Sequence, residues 1–244
     1  MTCKNNRMKS TIEKLIKKAF NSVGLDIMRI QRAPLLGLRH SPIRSVIDVG
    51  ANEGQFARMI LNVFPEAHVY CFEPLPVPFK KLKEWAKKQN GRIKVFNIAL
   101  GEREGHAEMF SHLEYSPGSS FLKTTETCEK LYPFVQKQTS ISVKVMTLDK
   151  VMANLSELLI PDVLIKLDVQ GYEDRVIRGG RETFRIRAKA CILEICLDSL
   201  YEKQATFRDI LFLFDELGYR YVGNLNQVCA DDGHVIFVDA VFVK

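Results

Sequence analysis

Between residues 44 and 61 the hydrophobic pattern changes period in one step. Ser45, Val46, Ile47 and Val49 form a short apolar run that stops at Gly50, and beyond Gly54 the residues Phe56, Ala57, Ile60 and Leu61 share one helical stripe. A buried strand, a glycine turn and a helix account for both periods. The alternation continues downstream: it predicts strands over 68–72 and 92–98, the latter closed by Ala99-Leu100-Gly101, with a helix over 76–88 between them that turns Phe79, Leu82 and Trp85 inward. A short hairpin is expected from 105 to 110. Further strands are expected over 141–147, 162–167, 191–195, 219–222 and 235–243, the last two as a hairpin. Helices over 148–158, 175–184 and 205–217 separate them, the second broken at Gly179-Gly180 and the third stopped by Gly218. Strands alternating with helices in this way predict an α/β domain on a mostly parallel sheet.

Two stretches depart from that rhythm. Residues 9–23 place Ile12, Leu15, Ile16, Ala19, Phe20 and Val23 at helical spacing with lysines elsewhere on the wheel, an N-terminal basic amphipathic helix. It is expected to pack on the domain, to pair with a second copy in a homodimer, or to make peripheral contact with an anionic membrane surface. Residues 1–43 are read as this helix and a linker, and 44–244 as the main domain. From 111 to 140 periodicity weakens and Ser, Thr, Gly and Pro accumulate, which predicts an insertion acting as a lid over an acceptor pocket.

Composition narrows the classes. The 244 residues are 46% hydrophobic and 26% charged, ordinary for a globular protein large enough to bury its own core. A net charge of +6 without basic clusters interleaved with aromatics gives no reason to expect nucleic acid. The six cysteines form no C-x-x-C pair and lie partly in apolar runs, as free thiols of a reducing compartment would. No run approaches the about 18 apolar residues of a membrane span, and the start lacks the apolar core of a signal peptide. A cytoplasmic location is expected, with membrane association confined to the inner face. The histidines make no spaced ligand pair, so no metal site is expected, although carboxylates at 168, 173 and 194 would suit magnesium if they converged.

The chemistry gathers at strand ends. Gly50 and Gly54 let a ligand approach the backbone closely, and the start of the following helix offers it free N–H groups. Asp48, two residues before Gly50, repels a phosphate and attracts a cation. That favours the amino or sulfonium end of S-adenosylmethionine over a dinucleotide, whose G-x-G-x-x-G spacing is missing. Glu73 follows Gly54 by the roughly twenty residues at which a βαβ unit presents an acid to ribose hydroxyls. Farther on, Lys166 lies inside an apolar strand, where an ammonium needs a partner. Glu194, late in the following strand, is the expected one.

Together, Asp48-Val49-Gly50-Ala51-Asn52-x-Gly54, Phe72-Glu73-Pro74, Asn97-x-Ala99-Leu100-Gly101, Ser119-Ser120, Lys166-x-Asp168-Val169-Gln170-Gly171-x-Glu173 and Glu194 resemble the FkbM-type family of S-adenosylmethionine-dependent methyltransferases. The resemblance implies a Rossmann-like seven-stranded sheet with an antiparallel last strand, the class I methyltransferase fold. It also implies methyl transfer to a hydroxyl, typically of a sugar, polysaccharide or natural product. By that resemblance Gly50, Asn52 and Gly54 border the methionine part of the cofactor, Glu73 its ribose, and Ala99 and Leu100 its adenine. Asp48, Ala51, Phe56 and Pro74 complete the cofactor set, and Asp168 sits at the reaction centre. Asp168 is the first choice of general base, with Glu173 and Glu194 as alternatives that orient the acceptor or set Lys166. Gln170 stands where the family often has Glu. The rival readings are a nicotinamide-dependent oxidoreductase and a non-catalytic binding module of the same fold.

Overall fold

The computed structural model describes residues 22, 37, 38, 40–112, 115–155 and 159–244. The chain divides into two units, 1–34 and 35–244, and apart from Ser22 every described residue lies in the second. The basic stretch 9–23 therefore falls, Ser22 aside, outside the described residues.

The strands are β1 (Ser45–Val49), β2 (His68–Phe72), β3 (Ile93–Phe96), β4 (Ala99–Leu100), β5 (Gly105–His112), β6 (Gln138–Met146), β7 (Val163–Leu167), β8 (Ala188–Cys196), β9 (Arg220–Cys229) and β10 (Val235–Val243). The helices are α1 (Gln55–Val63), α2 (Pro76–Ala86), α3 (Glu126–Leu131), α4 (Leu148–Leu155), α5 (Glu173–Gly179), α6 (Arg181–Ile186) and α7 (Phe207–Glu216). Seven strands form one sheet in the order β3-β2-β1-β7-β8-β10-β9. β1, β2, β3, β7 and β8 run parallel, and β10 is antiparallel to both its neighbours. The order reverses between β1 and β7. Both strands therefore end at the switch point where open parallel sheets hold ligands.

Period two sorts the strand residues onto two faces. Ile47, Val49, Tyr70, Phe72, Ile165, Leu167 and Leu193 meet α4, α5, α6 and α7 through Leu148, Val151, Val176, Ile177, Phe184, Leu213 and Phe214. Val46, Val69, Cys71, Leu164, Ile192 and Val241 meet α1 and α2 through Ala57, Ile60, Leu82 and Ala86. The middle strands are covered on both sides, and their sequences accordingly read as apolar runs rather than alternation.

The small strands differ from the pattern in the sequence. Ala99–Leu100 does not close β3; it leaves the main sheet as β4 and pairs in parallel with Val145–Met146 of β6. β5 does not fold back on itself as a short hairpin but runs antiparallel to β6 over its whole length, making a second sheet of order β4-β6-β5. Residues 115–135, read as irregular, carry α3 and 3-10 turns at Ser116–Gly118 and Pro133–Val135. Cys128 and Val135 of this excursion pack on Cys196, Leu200, Tyr201 and Ile236. Cys71, Cys128, Cys191, Cys196 and Cys229 are free thiols.

Candidate active site

Gly50 sets the floor of the site. Its φ is +75°, and a Cβ there would stand 1.9 Å from the main-chain oxygen of Asp168. Only glycine lets the turn after β1 lie against the end of β7. Asn52, at φ +46°, holds the turn in shape: its side-chain oxygen accepts from the N–H of Glu53 at 2.8 Å, and its main-chain N–H donates to Glu73 Oε2 at 2.8 Å. Glu73 Oε1 accepts from Leu75 N–H at 2.8 Å. Burial pushes the Glu73 carboxyl up to about 7, although those amide donors oppose the shift.

Above this floor is an open cleft whose empty space, solvent at its mouth included, is about 600 Å³. Gly50, Asn52, Glu73, Pro74, Ala99, Leu100 and Asp168 line it, together with Phe72, Ile98, Met109, Ser116 and Phe121. Asp48, Ala51, Gly54 and Phe56 do not. Ala51 belongs to the core beneath. A Cβ on Gly54 would meet Leu82 at 2.8 Å, so that glycine serves the packing of α1 on α2. Phe56 lies with its ring 5.7 Å from the Lys166 ammonium.

Asp48 is fully buried, and its nearest cation is Lys166 Nζ at 3.8 Å. Burial raises its carboxyl to about 6 against the pull of that ammonium. Lys166 also donates to Asp168 Oδ2 at 2.9 Å. Burial alone would lower the lysine pKa, but Asp168 and Asp48 together hold it above the ordinary value. The expected Lys166–Glu194 pair does not form. Register explains why: Lys166 stands beside Asp48 on β1 and beside Ile192 on β8, so Glu194 lies farther along toward the strand ends.

What reaches Glu194 is Gln170, at φ +56° in the turn after β7. Its Nε2 donates to Glu194 Oε1 at 2.5 Å and to Asp168 Oδ1 at 2.7 Å. Its Oε1 lies 2.6 Å from the Tyr201 hydroxyl, and its main-chain oxygen accepts from Ser120 Oγ at 2.8 Å. The reverse amide orientation would set oxygen against two carboxylates, so the network fixes which way the amide points. Neither the bridging role of Gln170 nor the presence of Tyr201 is signalled by the sequence, because both depend on a loop 31 residues away. The accumulation of Ser119-Ser120 before the site was the one available hint.

Glu173 points elsewhere. It is buried, its Oε1 accepts from Val169 N–H at 3.0 Å, and burial pushes it up to about 8. It braces the turn into α5 and lines neither cavity described here. It therefore does not converge with Asp168 and Glu194, and among the described residues no group of three His, Cys, Asp or Glu side chains could hold a metal ion.

A second cavity of about 270 Å³ adjoins the first, and Asp168 and Pro117 border both. Its polar groups include Asp168, Gln170, Glu194 and Tyr201, and its walls include Tyr115, Tyr132, Phe134, Val228 and Phe237. The Tyr115 and Phe134 rings lie 4.8 Å apart at the exposed rim. The strap 115–121, part of the predicted lid, separates the cavities and is tied down by Asn52 Nδ2 donating to Ser116 Oγ at 3.1 Å, by Ser120 on Gln170, and by the Tyr201 hydroxyl 3.1 Å from the Gly118 oxygen.

Residues 48–221 match the family model described as the methyltransferase FkbM domain. The chain belongs to the FkbM methyltransferase family. A curated relative, the 2-O-methyltransferase NoeI of Sinorhizobium fredii, is 30% identical over 186 residues, covering 73% of this chain and 74% of that protein. Among solved structures, the methyltransferase domain of METTL16 is 13% identical over 86% of this chain and 63% of that one, with a TM-score of 0.46. The methyltransferase domain of bacterial CtHen1 is 13% identical over 86% and 98%, at 0.45.

FkbM membership implies S-adenosylmethionine as methyl donor, and the first cavity suits it. Glu73 keeps lone pairs beyond the two amide bonds it accepts and can take hydroxyl donors. Ala99, Leu100, Ile98 and Phe72 offer an apolar slot for a flat base, and Asp168 supplies negative charge facing the cavity.

Proposed function

We propose that this FkbM methyltransferase methylates a hydroxyl oxygen of an uncharged acceptor, a sugar, polysaccharide or natural-product alcohol. The observation that carries the reading is the pair of adjoining cavities with Asp168 at their boundary. A methyl donor held in the first would face an acceptor held in the second, and such alignment is most of what an in-line displacement needs. In this reading Gly50, Asn52, Glu73, Pro74, Ala99 and Leu100 hold the donor, which supplies an electrophilic methyl group when bound. The acceptor cavity combines aromatic walls with carboxylates and has no Lys, Arg or His among its lining residues. A phosphate or carboxylate on the acceptor would find no cation in the cavity wall to pair with. The name of the relative, a 2-O-methyltransferase, supports transfer to oxygen.

Calorimetric titration with S-adenosylmethionine and with NAD, followed by transfer of labelled methyl to neutral glycosides and to their uronate and phosphate counterparts, tests the reading. Heat from S-adenosylmethionine alone and label in base-stable ethers of neutral acceptors are the expected results. Silence toward S-adenosylmethionine, or label in amines or carboxylate esters, would overturn it.

A further inference from the structure

The two acids at the acceptor cavity are not equivalent. Both oxygens of Asp168 already receive strong donors, Lys166 Nζ on Oδ2 and Gln170 Nε2 on Oδ1. Charge-assisted hydrogen bonds of this kind commit both oxygens to holding Lys166 and Gln170 in place. Glu194 receives one, from Gln170 on Oε1, and among the described residues nothing donates to Oε2. It lines the acceptor cavity but not the first one, so a proton it takes comes from the acceptor side.

We propose that Glu194 is the residue that takes the proton from the acceptor hydroxyl, and that Gln170 is the positioning residue that aims it and keeps Asp168 apart from it. The inference rests on the O-methyl transfer reading above. Glu194 receives the hydroxyl proton on Oε2 while the acceptor oxygen forms its bond to the methyl carbon. The carbon–sulfur bond breaks with its electron pair left on sulfur, so the positive sulfonium becomes a neutral thioether and one proton is released to the carboxylate.

The surroundings suit this role. Asp239 stands beside Glu194 on β10, and Asp168 faces it from just past the end of β7; both repel its negative charge, while Lys166 attracts it from farther back. Tyr115, Tyr132, Tyr201 and Cys196 border it too, and burial holds all four above their ordinary values, hence neutral. Burial and Asp168 push the Glu194 carboxyl well above the usual range. A base so placed has a high affinity for a proton, as the task requires.

The test is a carboxyl carbon-13 titration of the full chain labelled at Asp and Glu, assigned with Glu194→Gln and Asp168→Asn, beside calorimetry with S-adenosylmethionine. Glu194 is expected to titrate above the ordinary carboxylate range. Gln170→Met removes a donor to the Glu194 anion and should move the Glu194 titration further up. With a neutral acceptor turned over, kcat should rise with pH along the Glu194 titration, and Glu194→Gln should lose about 100-fold or more of it while keeping donor heat. A Glu194 signal that titrates within the ordinary carboxylate range, a Glu194 titration unmoved in Gln170→Met, or wild-type turnover by Glu194→Gln would each overturn the proposal. Absence of donor heat in the unmutated chain would instead sink the methyl-transfer reading itself.

Discussion

Gly50 is the residue at which sequence, backbone and site meet most directly. Its positive φ and the 1.9 Å approach of the Asp168 oxygen to a hypothetical Cβ leave Gly50→Ala no relaxed conformation. The variant should lose roughly 3 kcal/mol of stability by denaturant midpoint, and with it any heat from S-adenosylmethionine. Glu173 makes a different prediction. Its folded-state pKa, about 8, is above the unfolded value of 4.5, so the folded state binds the extra proton. The stability this contributes is fully present below about pH 4.5 and is lost as pH rises through about 8. Glu173→Gln keeps an oxygen for the Val169 amide and never ionises. Its stability relative to the parent chain should therefore climb from pH 5 to pH 9 in paired thermal melts; a constant difference would mean that Glu173 ionises freely. The sequence marks Gly50 and Asp168 because their chemistry is local to a motif. It misplaces the partner of Lys166 and the role of Glu173, because those depend on strand register and on which side of a turn a carboxylate falls.

At the scale of elements, the stop of α7 at Gly218 was legible because its signal is local, whereas the cap that starts it was not read. Thr206 accepts from the Asp209 amide at 3.2 Å while Asp209 Oδ2 accepts from the Thr206 amide at 2.9 Å, a reciprocal cap that fixes the start of α7. Thr206→Ala should lower stability by about 1 kcal/mol and leave donor heat untouched, which separates a structural defect from a site defect. The central strands were equally legible, since burial on both faces writes itself as continuous apolar runs. The β4-β6-β5 sheet was not. β4 has two residues, and its pairing with β6 spans more than forty positions, so no window of sequence contains both partners. The strap 115–121 was visible only as a loss of periodicity. Its order comes from hydrogen bonds to Asn52, Gln170 and Tyr201 that lie elsewhere in the chain. Ser120→Ala removes the bond to Gln170 and should speed amide hydrogen exchange across 115–122; unchanged protection there would show that the strap is held by packing alone.

For the molecule as a whole, the sheet order places both cavities at one switch point. No helix among the described residues is long and apolar enough to cross a membrane. Surface contact by the basic stretch 9–23 is a form of membrane association that can be tested. Deleting residues 1–30 should reduce sedimentation with anionic vesicles and leave donor heat intact; an intact chain that stays in the supernatant would end that reading. Pro117 forms part of the wall of both cavities. A wall held in common makes occupancy on one side a perturbation on the other, and thermodynamics then demands symmetry. Whatever factor the donor imposes on acceptor affinity, the acceptor must return to the donor unchanged.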